Sequence, residues 1–442
     1  MKILVFIGTR PEIIKMEPIV KVLDASEHEC LLAQSGQHID FEMTSVFFND
    51  LNLRTPDFKF EIGSGSHSEQ TASMLKLCEK LFQKIKPDLI LAEGDTNTVV
   101  GAGLSAAKLH VPFGHVEAGL RSFDLLMPEE VNRRIADMCA VVNFAPSERA
   151  VLNLLYEGIP PSRVFITGNT VVDVVVRHSK NISMMNETLQ SLNLSRKVPF
   201  ILLTLHRPKN VDNLDSLKNL LNVISRINET IVFPAHPRTR QSLIKHNLLD
   251  CLNSAENLIL IDPLSYFNFL AMLKHATLVM TDSGGVQEEA LTLKTPCVTL
   301  RKNTERPETV EAGVNFLTGS DPDQIVNVVN YVLENNKLIH QRLEGIKNPY
   351  GDGKAAEKIL TAINYLGNRS LLEYESSCFL SEGSPTKQFK LIKIEKETSV
   401  ANLQDETGGV ISLLYDEEGN PIFPTLDTSI KANWTVRLTF SH

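Results

Sequence analysis

Four places in the sequence put ionisable side chains directly after a run of apolar, β-branched residues. In IGTRPEIIKMEP a strand-like run stops at Gly8, Pro11 suits the first position of a helix, and Arg10 and Lys15 fall at and just inside its N-terminus. Two cations beside the N–H groups of a helix start form an anion site. In PDLILAEGDTNT, Asp95 follows a buried run and either caps the next helix or faces a ligand. TLHRPKN and PAHPRTR place His206, and then His236, Arg238 and Arg240, at two neighbouring strand ends, which suits a polyanion. In LVMTDSGGVQEE, the small residues Ser283, Gly284 and Gly285 let a backbone approach a phosphate at a helix N-terminus, and Glu289 lies where an acidic side chain reaches ribose hydroxyls. Arg306, in TERPE, adds a cation after the following strand.

A fifth stretch, HVEAGLRSFDLLMPEEVNRR, crowds Glu117, Asp124, Glu129 and Glu130 among Arg121, Arg133 and Arg134. Glu117 follows a buried run and is expected at a site. Glu129 and Arg133 stand i,i+4 on one helix face and are expected to pair. Asp124, Glu130 and Arg134 are expected to face water or neighbouring loops.

Such strand ends need strands to carry them. KILVFIG, CLLAQSG, PDLILAEGD, VPFGHVEAG, VVNFAPS and RVFITGN, then PFILLTLH, TIVFPAH, NLILIDP, ATLVMTDS and PCVTL, alternate with helical patterns. Strand, turn and helix repeated in this way read as parallel βαβ units, an α/β fold of doubly wound parallel sheets. In such sheets ligands bind beyond the carboxyl ends of the strands. A seam falls around residues 169 to 186. From about residue 370 the sequence changes to short strands around a Gly-Asn-Pro turn, a β-rich extension over 370–442 that contains Trp434.

Composition narrows the partners. A chain of 442 residues, 43% hydrophobic and 22% charged, exceeds one typical core, so two domains are expected. A net charge of -9 without a basic stripe argues against nucleic acid. The apolar start KILVF stops at Gly8, short of a signal or membrane segment, so a cytoplasmic protein off the membrane is expected. Six dispersed cysteines without a CxxC point to reduced thiols and no structural zinc. Gly101 and Gly103 lie inside a helix with no third glycine, which gives a nicotinamide cofactor no support, and no metal-ligand set stands out.

GTRPEIIK, GDTNT, HVEAGLRSFD, MPEEVNRR, GNTVVD, TLHRP, DSGGVQEE and TERPE occur in order, and over residues 1 to about 366 the sequence resembles the non-hydrolysing UDP-N-acetylglucosamine 2-epimerases. The resemblance implies a GT-B-like architecture: two Rossmann-like domains facing across a cleft, residues 1–170 joined by the helix 353–367, and residues 171–352. It implies a homodimer, no cofactor, and reversible conversion of UDP-GlcNAc to UDP-ManNAc. By motif position, Ser283, Gly284, Gly285 and Glu289 would hold UDP, with Arg10, His206 and Arg306 near the diphosphate and Phe269 near the uracil. Lys15, Asp95, Glu117, Glu129 and Arg133 match the remaining active-site positions, most of them on the sugar side. Lys209 and Leu264 depart from the residues that many or some relatives carry there.

The chemistry implied has two demands. Expelling UDP from C1 while a base takes the C2 proton gives 2-acetamidoglucal, whose planar C2 accepts a proton from the other face before UDP adds back. This needs cations for the leaving diphosphate and carboxylates for the protons. Asp95, Glu117 and Glu129 are the candidates for base and acid, with His206 a further proton-transfer candidate. A hydrolysing relative, an epimerase of a modified UDP-sugar and a GT-B glycosyltransferase remain alternatives.

Overall fold

The computed structural model describes residues 1–36, 48–62, 65–184, 199–374, 389–408, 410–417, 421–422 and 424–439. Cys378 and part of the expected seam lie outside them; the other five cysteines carry free thiols. The chain divides into two compact units, Met1–Val174 with Tyr350–His442, and Val175–Pro349.

The first unit is built on a seven-stranded parallel sheet. Its strands are β1 (Lys2–Ile7), β2 (Glu29–Gln34), β3 (Phe58–Lys59), β4 (Leu89–Glu93), β5 (Phe113–Val116), β6 (Val142–Ala145) and β7 (Val164–Ile166), in the order β3-β2-β1-β4-β5-β6-β7. Leu89, Ile90, Leu91 and Ala92 of β4 are fully buried, which is why this strand reads as an unbroken apolar run rather than an alternating one. Burial of each such leucine or isoleucine contributes about 2 kcal/mol. The strand order reverses between β1 and β4. The loops that follow these two strands therefore splay apart and open a crevice at the switch point. Arg10 opens the helix after β1, and Asp95 lies in the turn after β4.

Gly101 and Gly103 have a packing role. Both sit in the helix Asn97–Leu109, where a Cβ on Gly101 would run into the Cβ of Met74, and one on Gly103 would come within 2.8 Å of the Phe113 ring. Close approach of this helix to the helix His67–Ile85 and to β5 accounts for the pair.

The second unit carries β8 (Phe200–Thr204), β9 (Thr230–Pro234), β10 (Leu258–Ile261), β11 (Leu278–Thr281), β12 (Cys297–Thr299) and β13 (Asn315–Leu317), all parallel in the order β10-β9-β8-β11-β12-β13. Its reversal lies between β8 and β11, whose following loops carry His206 and Asp282.

After Pro349 the chain returns to the first unit. The helix Ala355–Gly367 packs on the helix Arg10–Asp24, and Asp173 accepts the N–H groups of Ala355 and Ala356 at 2.9 and 2.8 Å. The extension then folds as a four-stranded antiparallel sheet of β14 (Phe389–Lys393), β16 (Val410–Tyr415), β17 (Pro421–Ile422) and β19 (Thr435–Thr439). It is joined by a short pair, β15 (Thr398–Ser399) with β18 (Ser429–Ile430). A helix, Val400–Thr407, interrupts the strands where only strands were expected; Ser399 caps it and Gly408 ends it in a left-handed conformation. Val400 and Leu403 from this helix complete a small core with Ile411, Leu414, Ile430, Val436 and Leu438. Gln404 donates to the Tyr365 hydroxyl at 3.1 Å, tying the extension to the returning helix. Among the described residues no helix is long and apolar enough to cross a membrane.

Candidate active site

In the first unit, the parallel register of β4 and β5 sets Glu93 opposite Val116, so Glu117 leaves β5 beside the Glu93 carboxylate. Lys15 comes from the second turn of the helix Arg10–Asp24. Its Nζ donates to Glu93 Oε1 at 2.8 Å and to Glu117 Oε2. Asn169 Nδ2 donates to the same Glu117 oxygen at 2.9 Å. Glu117 adopts φ +65°, a left-handed conformation that costs a side-chain-bearing residue about 1 kcal/mol or more and is tolerated where surrounding contacts over-determine it. Glu93 is 2% exposed. Burial pushes its carboxyl well above the usual range, Glu117 pushes it further, and Lys15 opposes both.

Asp95 does not cap the helix after β4; Thr96 occupies that position. The Asp95 carboxylate instead accepts from Arg133 Nη2 at 2.6 Å, and Arg133 Nη1 donates to Glu130 Oε2 at 3.1 Å. The expected Glu129–Arg133 pairing is thus replaced by one three residues apart, because Glu130 is the helix residue turned inward. Glu130 is fully buried, contrary to its expected exposure. It accepts from the Ser122 N–H and hydroxyl at 2.8 and 3.0 Å and pairs with Arg134 at 3.4 Å. Glu129 is exposed in the first turn of this helix, Pro128–Cys139. Asp124 turns inside its own loop and accepts the Leu126 N–H at 3.1 Å. His115 and Arg121 hold the inner wall: His115 lies 2.6 Å from Asp137 and 2.8 Å from the Gly94 carbonyl, and Arg121 bonds Asp137 and Glu157.

The anion site expected at Arg10 is partly filled by the chain itself. Glu12 accepts the N–H groups of Gly8 and Thr9, the latter at 2.8 Å, and the Thr96 hydroxyl at 2.6 Å. Burial raises the Glu12 carboxyl to about 7 although these hydrogen bonds pull it down. Between the unfolded value near 4.5 and about 7, the folded state therefore holds more protons than the unfolded chain. Stability from this group is present at low pH and is lost as pH rises to 7, by on the order of 3 kcal/mol. Glu12→Gln keeps an acceptor for the same N–H groups and should flatten that part of the pH dependence. Denaturant unfolding of both proteins at pH 4.5, 6 and 8 measures this; parallel curves would refute it.

In the second unit, Asp282 organises the switch point. It is fully buried and accepts the N–H groups of His206 (3.2 Å) and Arg207 (3.0 Å) and Asn210 Nδ2 (3.0 Å), with His206 Nδ1 at 3.1 Å. Burial raises its carboxyl, but the bonds and charge of His206, with those from Arg207 and Asn210, outweigh burial and hold it below the usual range. The His206 ring is itself exposed and lies 6.3 Å from the ring of His236. Arg238 and Arg240, expected to serve the same anion, pair with Asp212 and Asp262.

Ser283 is the N-cap of the helix Gly284–Leu293, whose first turn has no acidic residue. A Cβ on Gly284 would run into the Glu305 carboxylate, whereas none of the described atoms lies within 4 Å of one placed on Gly285, leaving the backbone open on that side. Glu289 accepts from the Tyr266 hydroxyl at 3.0 Å, and Phe269 is half-buried three residues after Tyr266, hence on the same side of its helix. Arg306 is buried: its Nε lies 2.9 Å from Glu288 Oε1. Arg207, Arg301 and Arg306 surround Glu305, and Arg306 also pairs with Glu288, so three guanidiniums gather beside the Ser283–Gly285 turn. Lys209 is exposed and its carbonyl accepts from Ser216.

Glu93, Asn169 and Asp282 were given no site role from the sequence, and Glu130 was expected to face water or neighbouring loops. Glu93 did carry a signal, being ionisable at the end of a strand buried on both faces, where an acid is rare unless paired. Asn169 gave none, because its partner lies 52 residues away, and for Glu130 the nearby Arg133 and Arg134 did not reveal the Ser122 donors, 8 residues back, that bury it.

A family model described as UDP-N-acetylglucosamine 2-epimerase matches residues 21–364. The UDP-N-acetylglucosamine 2-epimerase of Methanocaldococcus jannaschii is 44% identical over 371 residues, covering 83% of this chain and 99% of that protein. The UDP-2,3-diacetamido-2,3-dideoxy-D-glucuronate 2-epimerase of Pseudomonas aeruginosa is 35% identical over 365 residues, 81% of this chain and 98% of that one. The crystal structure of the M. jannaschii UDP-GlcNAc 2-epimerase in complex with UDP-GlcNAc and UDP is similar with a TM-score of 0.76 at 44% identity, covering 83% of this chain and 100% of that one. The extension beyond residue 370 falls outside the family match.

Proposed function

The chain belongs to the UDP-N-acetylglucosamine 2-epimerase family, and from that premise we propose that it interconverts UDP-N-acetylglucosamine and UDP-N-acetylmannosamine by eliminating UDP and adding it back. The observation that carries the mechanism is the buried Glu93–Lys15–Glu117 cluster at the ends of β4 and β5. Carboxylates held in this way can move a proton at C2, and Asp95, fixed by Arg133, supplies another.

The second unit takes the UDP. The Ser283–Gly285 turn and the Arg207–Arg301–Arg306 group offset charge developing on the diphosphate as the C1–O bond breaks, Glu289 with Tyr266 takes the ribose, and Phe269 stacks on the uracil. His206 lies by the leaving oxygen and Arg10 beside the diphosphate. Glu129, exposed here, contributes by moving toward the sugar. The protein works in the cytosol as a homodimer and needs no cofactor.

Incubation with UDP-GlcNAc in deuterated water, followed by NMR, tests the reading. UDP-ManNAc labelled at C2 is expected. Unlabelled UDP-ManNAc would sink the elimination route, free ManNAc with UDP would mark a hydrolysing enzyme, and turnover only with an added acceptor would mark a glycosyltransferase. The P. aeruginosa relative gives a second reading its footing, a modified UDP-sugar as substrate. A higher kcat/KM for a diacetamido uronic derivative than for UDP-GlcNAc would favour it.

A further inference from the structure

Glu93 bonds Lys15, which matches an active-site position, yet matches none itself and occupies one of the least hospitable places in the first unit for an acid. It ends a strand whose other residues are apolar and buried, and its carboxylate shares the Lys15 ammonium with Glu117. The charged groups facing it are few. From the helix Arg10–Asp24 comes Lys15, and from the turn after β5 comes Glu117. Glu12, on the same helix as Lys15, is turned toward Thr9 and Thr96, and Asp95 toward Arg133. His115 of β5 bonds the Gly94 carbonyl and Asp137 rather than either acid.

Two buried carboxylates beside one ammonium carry an excess negative charge unless one proton is kept between them. With that proton the three groups are neutral together. The proton can sit on either acid without altering this, so moving it costs no new buried charge.

We propose that Glu93 is a positioning residue for the reaction, sharing one proton with Glu117 beside Lys15 so that Glu117 meets the sugar either protonated or ionised while the buried cluster stays neutral. The inference rests on the functional reading above. It adds what a reversible proton exchange at C2 requires: a residue available in both forms at one pH. When the shared proton moves from Glu93 to Glu117, Glu93 becomes the carboxylate paired with Lys15; the reverse move restores the starting state, with no co-reactant.

Glu93→Gln is the test. Its amide oxygen can accept from Lys15 and its amide nitrogen can donate to Glu117, so the geometry survives and only the transferable proton is lost. Glu117 then faces Lys15 alone, which favours its ionised form. Because turnover needs Glu117 in both forms, the kcat profile should move to lower pH, by about one unit, and kcat near neutrality, where Glu117 is now held ionised, should fall about 100-fold. KM for UDP-GlcNAc should stay within about threefold, since the UDP is held elsewhere. Glu93→Asp, which retains a titrating group, should return the profile toward that of the unsubstituted enzyme; it also carries the test if the glutamine variant does not fold.

An unmoved pH profile in a folded variant would overturn the inference, whatever the change in kcat. Failure of the unsubstituted enzyme to exchange the C2 proton would instead overturn the functional reading, so the two failures are separable.

Discussion

Glu117→Gln is expected to lower kcat for UDP-GlcNAc epimerisation by about 10³-fold or more, at the upper end of what one positioned proton-transfer group contributes. Affinity for UDP should remain within about threefold. Both halves follow from placement. Glu117 is held by Lys15, Asn169 and a left-handed backbone, three restraints on one carboxylate, which is far more than a surface acid receives. Glutamine keeps the length and can accept from Asn169 or Lys15, so the fold should persist, while it can neither take nor give a proton at C2. The residues proposed to hold UDP, Arg10 apart, lie in the other unit and are not touched by the change. Single-turnover assays of C2 deuterium incorporation, run beside UDP titration calorimetry, separate chemistry from binding. A variant that loses UDP affinity in proportion to its activity would assign Glu117 to ligand binding instead. The loss should exceed that of Glu93→Gln, because Glu93 acts through Glu117.

The asymmetry between these two glutamates also marks what the sequence could convey. Strands buried on both faces write themselves as apolar runs, so eleven of the strands and the loops after them could be located without coordinates, and with them Arg10, Asp95, Glu117, His206 and Ser283. What those runs do not encode is lateral order. The neighbours that place Glu93 beside Glu117, or set Asp282 across from His206, depend on β4 lying next to β5 and β8 next to β11, pairings between segments as much as 76 residues apart. The two-residue strand β3 was too short to leave a periodic signal, and β13 (Asn315–Leu317) was missed because Asn315 opens it and no apolar run surrounds it. The Glu129–Arg133 expectation failed for a related reason. Spacing on a helix allows i,i+3 as readily as i,i+4, and tertiary burial of Glu130, which Ser122 and Arg133 require as an acceptor, decided between them. In the extension, the helix Val400–Thr407 is only two turns long, and its burial against β16 and β18, rather than its own periodicity, stabilises it.

Asp282→Ala should be the most damaging single change in the second unit. The carboxylate gathers the N–H groups of His206 and Arg207, the Asn210 amide and the His206 imidazole, and all of them converge on a side chain with no exposed surface. Alanine leaves the His206 and Arg207 N–H groups and the Asn210 amide without their acceptor, while the exposed His206 ring can turn to water, a loss of about 3 kcal/mol, compared with about 1 kcal/mol for an exposed hydrogen bond. Since domains carry only about 5 to 15 kcal/mol in total, this unit should melt well below the other, as a separate transition in calorimetry. Asp282→Asn retains one acceptor oxygen but turns a donor toward the same N–H groups, so it should recover less than half of the loss. The functional consequence is tied to the same bonds. His206 leaves β8 and Ser283 leaves β11 at the switch point, and Asp282 is the strap that sets one loop against the other. UDP affinity should therefore fall at least tenfold in the asparagine variant even where it is fully folded. An asparagine variant that melts normally and binds UDP as tightly as the unsubstituted enzyme would show that the two loops are set by the strands alone.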